Sequence, residues 1–485
     1  MSYLPGYRPD GLGFFFREAV TWSNISSGDI SCRFMPDGFG FDTKGNCVFL
    51  KEGSALYLIG LLNSTYSAYL VRSLNPTVSL NLGDVASIPY RETNAKRVQH
   101  LASNCVNLTR KRIARSETSW DFAQHPLIQQ NAPSLEAAYT AWQEQATDDF
   151  LQLHANEEEL NELFIDLYGL QDELNPRVAL GDITILDDDL DWDAVDALDA
   201  ERDRLSDDEL RARFLEDDPS EALFKMEVPI RQLLSYGIGV MLGRYRLGKD
   251  GLHIAHPNPS SDELAPYEVP VPLCGSESSS TAQFEIDQNA IVPLMGRDSP
   301  FSDDAVYRMR EILRLLWGEE QLTATINFIN RALSIGASRG YVNPKEQTME
   351  DWLVGEFWDY HKSLYSVNYY GKKPIYWLFQ SPKGYFQVLV YMHRLTKYTP
   401  QQIRQQYLHP YQKAITKELE ALDARPTGDL SPDETKRLEL LQKKSTDARA
   451  YDGILKTVAA QQIAIDLDAG VQENYPKFGK AVAGL

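Results

Sequence analysis

Cysteine is scarce in this chain, and its spacing argues against two classes of cross-linked protein. The 485 residues contain four cysteines, Cys32, Cys47, Cys105 and Cys274. No two of them have the Cys-x-x-Cys spacing, and no set of histidines lies near them. This pattern argues against a zinc site and against the disulfide framework of a secreted protein. We therefore expect reduced thiols and a cytoplasmic protein.

Long apolar runs are missing as well. The amino-terminal stretch MSYLPGYRPDGLGFFF lacks the basic region and the long apolar region of a signal peptide. No stretch reaches about 18 uninterrupted apolar residues, the length that a membrane helix requires. We expect no membrane partner.

Positive charge is in deficit, but the deficit is local. The formal net charge is −21. Between Tyr139 and Glu221 there are 27 acidic and 5 basic residues, so the other 402 residues carry 42 acidic and 43 basic groups. The Debye length at physiological salt is about 8 Å, so an acidic block remote from a binding face weakens a DNA complex only modestly. Overall acidity therefore does not exclude nucleic acid as a partner.

The stretch KKPIYWLFQSPKGYFQVLVYMHR, residues 372–394, has the pattern of a β-hairpin. Two aromatic and β-branched runs flank a Ser-Pro-Lys-Gly turn, in which Pro fixes φ and Gly allows positive φ. Lys372, Lys373, Lys383 and Arg394 bracket the runs. Such a ribbon is a candidate surface for phosphate or stacked bases, but most ribbons of this kind are core.

This stretch resembles a signature of the DNA adenine methyltransferases of BREX phage-defence systems, the PglX family. Three further stretches are similar to the same family. They are FREAVTWSNISSGDISCRF from Phe16, SYGIGVMLGRYRL from Ser235 and IDLDAGVQENYPKF from Ile465. The helix around Leu61-Leu62-Asn63-Ser64, followed by Ile88-Pro89, is similar to target-recognition domains of type I and type IIG restriction-modification enzymes.

The catalytic motifs of that family are missing from this chain. An adenine-N6 methyltransferase needs an Asn/Asp-Pro-Pro-Tyr/Phe loop to hold the flipped base. The nearest string is Asn75-Pro76-Thr77-Val78, and no glycine-rich turn for S-adenosylmethionine is present. The resemblance implies the target-recognition and C-terminal part of such an enzyme, inactive alone, with no cofactor here and S-adenosylmethionine in a preceding methyltransferase domain.

We predict an α+β fold of roughly three domains. Short strands at residues 19–22, 31–34, 38–42 and 46–50, followed by a helix from Leu56 to Leu74, form a β-rich target-recognition unit. The predicted ranges are 1–92 for this unit, 93–247 for a helical, acidic spacer domain, 248–302 for an irregular loop, and 303–485 for a helical C-terminal domain containing the hairpin.

The resemblance makes double-stranded DNA the expected partner, besides the methyltransferase domain and other BREX proteins or a phage inhibitor. Arginine and polar side chains read base edges, while Lys and Arg on phosphates fix register. The candidate residues are Arg17, Thr21, Trp22, Ser23, Arg33 and Lys44, with Asn24, Ser26 and Ser27 beside them, and Arg339, Lys345, Lys372, Lys373, Lys383 and Arg394. Ordinary turn chemistry for the Ser and Asn residues and a core position for Trp22 remain alternatives.

Three other functions are alternatives to DNA recognition. The acidic block could recruit basic proteins or imitate DNA, which would make the chain an interaction module. The run Asp187–Asp193 fails the calcium-loop test, because neither Gly at the sixth position nor Glu at the twelfth is present. A nuclease site at Pro36-Asp37 with Asp42-Thr43-Lys44 is too cramped for the usual pair of strands.

Overall fold

The computed structural model describes most of the chain. The described residues are 11–25, 30–42, 44–75, 77, 79–275, 280–339, 345–367, 371–424 and 430–485. Ser26, Ser27 and Thr43, which belong to the predicted sites, lie outside the described residues, as do Pro76 and Val78.

The described strands are short and pair antiparallel throughout. They are β1 Ala19–Ser23, β2 Cys32–Met35, β3 Gly45–Val48, β4 Tyr267–Val271, β5 Ser280–Phe284, β6 Ile291–Pro293, β7 Ser366–Val367, β8 Gly371–Lys372, β9 Tyr376–Gln380 and β10 Gln387–Tyr391. They form two three-stranded sheets, in the orders β2-β1-β3 and β6-β10-β9, and the pairs β4-β5 and β7-β8.

Helices make up most of the remaining structure. They are α1 Ala55–Leu62, α2 Thr65–Leu74, α3 Leu82–Ala86, α4 Ala95–Ile113, α5 Pro126–Gln129, α6 Leu135–Tyr168, α7 Trp192–Glu201, α8 Asp207–Phe214, α9 Glu227–Met241, α10 Ser261–Leu264, α11 Ala305–Trp317, α12 Leu322–Ser338, α13 Met349–Gly355, α14 Phe357–Leu364, α15 Thr399–Gln402, α16 His409–Asp423, α17 Pro432–Ala460 and α18 Gly470–Asn474. A π-helical segment, Ile403–Leu408, separates α15 from α16. Short 3₁₀ segments are Leu180–Asp182, Arg202–Arg204, Gly296–Asp298, Met392–Arg394, Leu467–Ala469 and Tyr475–Ala481. The predicted α+β class is confirmed.

The described residues fall into two compact units. The first comprises the chain up to Ile113 together with Glu144–Phe224, and the second comprises Ala114–Gln143 and Lys225–Leu485. The predicted domain boundaries at 92, 247 and 302 stay predictions.

The first unit packs its sheet against helices. Its core joins Val20 and Trp22 of β1 to apolar residues of α1, and Leu160 and Phe164 of α6 complete it. The predicted strand at 38–42 is wrong: Gly38 lies in a turn with a φ of 89°, and residues 39–42 are not part of a strand. The predicted helix over 56–74 is two helices, since the Ser64 side chain accepts from the Ser67 backbone N–H and caps α2.

The second unit contains the predicted hairpin, which is confirmed. Strands β9 and β10 pair from Gln380 with Gln387 to Tyr376 with Tyr391, and β10 also pairs with β6. Trp377 is fully buried in a core that includes Phe478 of the chain's closing segment. The closing segment therefore packs on the core of the second unit.

Two further stretches of the second unit are more regular than a loop. Residues 248–302, expected to be irregular, contain α10 and the strands β4, β5 and β6 between their turns. Helices α16 and α17 form a helical hairpin, in which Arg437 donates from Nε and Nη2 to Glu418 at 2.7 and 3.0 Å. Residues 425–429, between these two helices, lie outside the described residues.

Candidate nucleic-acid interface

The sheet of the first unit has a covered face and an open face. Along β1, Val20 and Trp22 are buried, whereas Thr21 is half-buried and Ser23 is exposed. Successive side chains of a strand point to opposite faces, so this alternation assigns Thr21 and Ser23 to the open face. We call that face, with the cations beside it, the open-face site. It comprises Arg17, Thr21, Ser23, Arg33 and Lys44.

Trp22 lies on the covered face and is not accessible. Its side chain is buried, and Nε1 donates to the Leu80 backbone oxygen at 3.3 Å. The N–H of a buried Trp usually has a hydrogen-bond partner, and the Trp22 N–H has one. In this conformation Trp22 anchors the sheet to the core, which is the alternative that the sequence left open.

Thr21 and Arg33 are direct neighbours across the open face. They pair in the β1–β2 register, and Arg33 is exposed. The Thr21 hydroxyl donates to the Asn46 backbone oxygen at 2.9 Å, so its lone pairs remain to accept from a ligand. The Arg33 Nη1 donates to Ser31 Oγ and to the Cys32 backbone oxygen. These local bonds orient the guanidinium while leaving it at the surface.

Arg17 stands beside aromatic rings at the entry to β1. Its guanidinium carbon lies 5.5 Å from the centroid of Phe14 and 5.9 Å from that of Phe49. Phe16 has a positive φ of 66°, and its backbone bonds with Phe39 and Gly38 hold this turn. Stacked guanidinium groups are preorganised donors for phosphate and bases.

Carboxylates moderate the positive charge of the open-face site. The backbone N–H groups of Lys44 and Gly45 donate to Asp42 Oδ1 and lower the pKa of that carboxyl. Burial raises the pKa of Glu157 to about 7, with Asp182 adding to the rise and Arg33 opposing it. Near neutral pH, the charge beside Arg33 therefore depends on protonation of Glu157.

In the second unit, two arginines predicted to contact DNA instead contact other residues of the protein. Arg394 is buried and donates to the backbone oxygens of Leu242, Asp287 and Gln288 at 2.8 to 3.1 Å. Burial also lowers its pKa. Arg339 forms a two-point ion pair with buried Glu227. In this conformation Arg394 cannot reach a ligand, and the Arg339 guanidinium has an internal role.

The predicted lysines of the second unit are more accessible. Lys345, Lys372 and Lys383 are exposed, and Lys373 is half-buried. Lys372 precedes β9 and Lys383 follows it, so they lie at opposite ends of a five-residue strand, roughly 17 Å long. These two cations therefore do not form one cluster.

A buried polar cluster in the second unit was missed by the sequence reasoning. Arg244 donates to the Glu117 backbone oxygen at 2.9 Å and to the Tyr365 hydroxyl. His361 stacks on Tyr376 at 4.5 Å, and burial lowers the His361 pKa well below its usual value, with Arg244 adding to the effect. Arg244 belongs to SYGIGVMLGRYRL and Tyr376 to the hairpin. Two of the four family-like stretches thus meet here.

No metal site can be built from the described part of the chain, where no group of three or more His, Cys, Asp or Glu side chains is suitably placed. None of the described helices combines the length and apolar character needed to cross a membrane.

Comparison with known proteins gives two relatives over nearly the whole chain. No family model matches. The adenine-specific methyltransferase BrxX of Escherichia coli O9:H4 (strain HS) is 30% identical over 512 aligned positions, covering 100% of this chain and 38% of that protein. The adenine-specific methyltransferase PglX of Lacticaseibacillus casei (strain Zhang) is 32% identical over 477 positions, covering 96% of this chain and 34% of that protein. The chain thus spans little more than a third of the length of these relatives.

Proposed function

This chain is a homologue of the BREX adenine methyltransferases of the PglX family, and on that premise we propose that it is their DNA-binding portion. In this proposal it supplies target recognition and C-terminal contacts to a site-specific, S-adenosylmethionine-dependent DNA adenine-N6 methyltransferase. The chain itself transfers no methyl group.

One observation carries the proposal. The chain aligns over 100% and 96% of its length with two adenine-specific methyltransferases, yet it lacks the Asn/Asp-Pro-Pro-Tyr/Phe loop that holds the flipped adenine. A methyltransferase must bind DNA as well as transfer the methyl group. A homologous portion without the catalytic loop is best explained by the binding task.

The geometry of the open-face site supports this assignment. Arg33 is exposed beside Thr21 on the open face of the sheet, and the exposed residues Arg17 and Lys44 lie in the segments that lead into β1 and β3. This side carries both residue types that a duplex interface uses, namely cations for phosphates and polar side chains for base edges. The opposite face of the sheet is occupied by the core of the first unit.

The partners follow from the same proposal. The chain binds double-stranded DNA and works with a methyltransferase domain that carries S-adenosylmethionine. Other BREX proteins, or a phage inhibitor that competes with DNA, are further partners.

The proposal is tested by the salt dependence of DNA binding. We expect a labelled duplex to bind, with the logarithm of the affinity falling linearly against the logarithm of the salt concentration. Three phosphate contacts would give a slope of about −2.7. An affinity that does not change between about 50 and 200 mM salt would contradict the proposal.

A second function, an acidic interaction module, is favoured by the charge segregation. Several carboxylates of the block are exposed, among them Asp203, Asp207, Asp208 and Asp217. Changing these four to Asn removes charge without opening the core, whereas deletion of the block would remove buried Leu186 and Phe214. If the block recruits basic proteins, the fourfold variant loses that binding. Under the DNA proposal, its affinity for DNA stays the same or rises.

A further inference from the structure

Trp120 is far more exposed to solvent than the other tryptophans of the chain. Its relative exposure is 103%, whereas the other seven tryptophans are buried or half-buried. Among the described residues, the Trp120 ring makes no aromatic contact and its N–H makes no hydrogen bond. Leaving so large an apolar side chain in water forgoes the free energy of its burial. The fold gains nothing from this side chain in the position that it occupies.

The turn that carries Trp120 is well ordered by hydrogen bonds. The Ser119 N–H donates to the Ser116 backbone oxygen at 2.9 Å, and the Phe122 N–H donates to the Ser119 backbone oxygen at 3.3 Å. The Asp121 N–H donates to Ser119 Oγ at 3.2 Å. The indole is therefore held out from a defined turn.

The residues on either side of the turn are fixed in the core of the second unit. The Glu117 carboxylate accepts from Ser235 Oγ at 2.7 Å. The Phe122 ring lies 6.1 Å from that of Tyr236 and 5.4 Å from that of Tyr245. Ser235, Tyr236 and Tyr245 all belong to the family-like stretch SYGIGVMLGRYRL. That stretch thus fixes the position from which Trp120 projects.

We propose that Trp120 stacks on a nucleobase of the DNA that this chain binds, at the gap left where an adenine is turned out of the helix. This inference rests on the proposed function. Extruding a base costs unstacking energy, and an aromatic ring that fills the gap offsets part of that cost. Stacking of one base on an aromatic side chain contributes about 1–3 kcal/mol.

The surroundings of Trp120 favour a base over a protein surface. Its neighbours in the turn are polar, since Thr118 and Asp121 are exposed beside it. A stable protein interface buries roughly 800 Å² on each partner around an apolar centre, far more than a single indole provides. Stacking, in contrast, needs only one ring face, so a single indole in a polar turn is sufficient for it.

The exposed apolar residues of the first unit make a useful contrast. Leu12, Phe14, Phe16 and Phe39 are all exposed there, and backbone bonds hold Phe16 beside Phe39. Several apolar side chains together are what a protein partner would cover. The turn that carries Trp120 has no other exposed apolar side chain.

The test compares three variants of the whole chain in binding to a fluorescein-labelled duplex that contains one abasic position. Trp120→Ala should weaken binding about tenfold or more, and Trp120→Phe should retain most of the affinity. Tyr398→Ala removes another exposed aromatic ring of the second unit and should change nothing. Because the indole is neutral, Trp120→Ala should leave the salt slope unchanged, unlike the loss of a phosphate contact.

A second readout reports the ring directly. Acrylamide should quench the exposed Trp120 fluorescence in the free chain and quench it less once DNA is bound. Trp120→Phe removes this accessible component and so identifies it. Circular dichroism should show unchanged folding, since the side chain packs on nothing.

Each outcome decides the inference. If Trp120→Ala binds the duplex as tightly as the unchanged chain, the inference is wrong while the proposed function stands. If the unchanged chain binds no DNA, both are wrong. If Trp120→Ala alters only the sedimentation of the chain, the ring serves a protein contact and the inference is also wrong.

Discussion

Glu227 and Arg339 form a two-point ion pair around a buried carboxylate. The Glu227 oxygens accept from Arg339 Nε at 3.1 Å and from Nη2 at 3.2 Å, and Glu227 is only 3% exposed. Removing one partner of a buried pair leaves an uncompensated charge, which costs about 3–5 kcal/mol. This cost decides what a substitution at Arg339 will report.

We therefore expect Arg339→Ala to lower the free energy of unfolding by about 3 kcal/mol, measured by urea denaturation. Arg331→Ala is the matched control in α12, the helix that Arg339 directly follows, because Arg331 pairs with Glu136 at the surface. Its loss should cost about 1 kcal/mol or less. Unchanged stability of Arg339→Ala together with weaker DNA binding would show instead that the guanidinium serves the ligand.

Arg33 should behave as a ligand contact. Arg33→Ala removes an exposed cation of the open-face site, so we expect weaker duplex binding and a salt slope reduced by about one. Stability should change little, since the bonds of Arg33 to Ser31 and Cys32 are local.

The control for Arg33 is Lys96→Ala, which removes an exposed cation from α4 in the same unit. It should leave both the affinity and the slope closer to those of the unchanged chain. Equal effects of the two substitutions would indicate that only net charge matters and that the open-face site is not a specific surface.

The cluster around Arg244 gives a prediction for two tyrosines, of which Tyr376 is buried and Tyr365 is half-buried. The Tyr376 hydroxyl is buried without a hydrogen-bond partner in the described structure, whereas the Tyr365 hydroxyl accepts from Arg244. Tyr376→Phe should thus be neutral or slightly stabilising. Tyr365→Phe should destabilise by about 1–3 kcal/mol, because it leaves an arginine donor unpaired. Thermal unfolding of the two variants side by side checks this, and equal losses would contradict it.

Much of the fold could be predicted because its signals are local. The hairpin at 372–394 combines strand-forming runs with a Pro-Lys-Gly turn, and both strands are present. Helix α6 ends at Tyr168, and the glycine that follows, Gly169, has a φ of 68°, which is a common way for a helix to end. The strand predicted at 38–42 from the aromatic residues Phe39 and Phe41 is absent, since Gly38 lies in a turn and the following residues pair with no strand.

The site was harder to predict because burial depends on distant contacts. Strand alternation could have placed Trp22 on the face of Val20 and hence in the core. Arg394 gave no such signal, since the backbone oxygens that receive it come from residues more than 100 positions away. Trp120 lies in a turn without periodicity, so nothing in the sequence distinguished it from a core tryptophan.

Glu157 makes the stability of the first unit depend on pH. Burial raises its pKa from 4.5 in the unfolded chain to about 7 in the folded one, so the folded state binds more protons between these values. The contribution is fully present below about pH 4.5 and is lost as the pH rises to 7. It amounts to about 3 kcal/mol at most. Glu157→Gln should flatten the dependence of the unfolding free energy on pH in this window, measured by denaturant titration at several pH values.

Glu159→Gln is the neighbouring control. The ion pair with Arg97 lowers the pKa of Glu159, so its contribution should be lost instead as the pH falls through the acid range. An unchanged pH profile of Glu157→Gln would mean that this carboxyl is already ionised throughout the window, and that Arg33 faces a fixed negative charge.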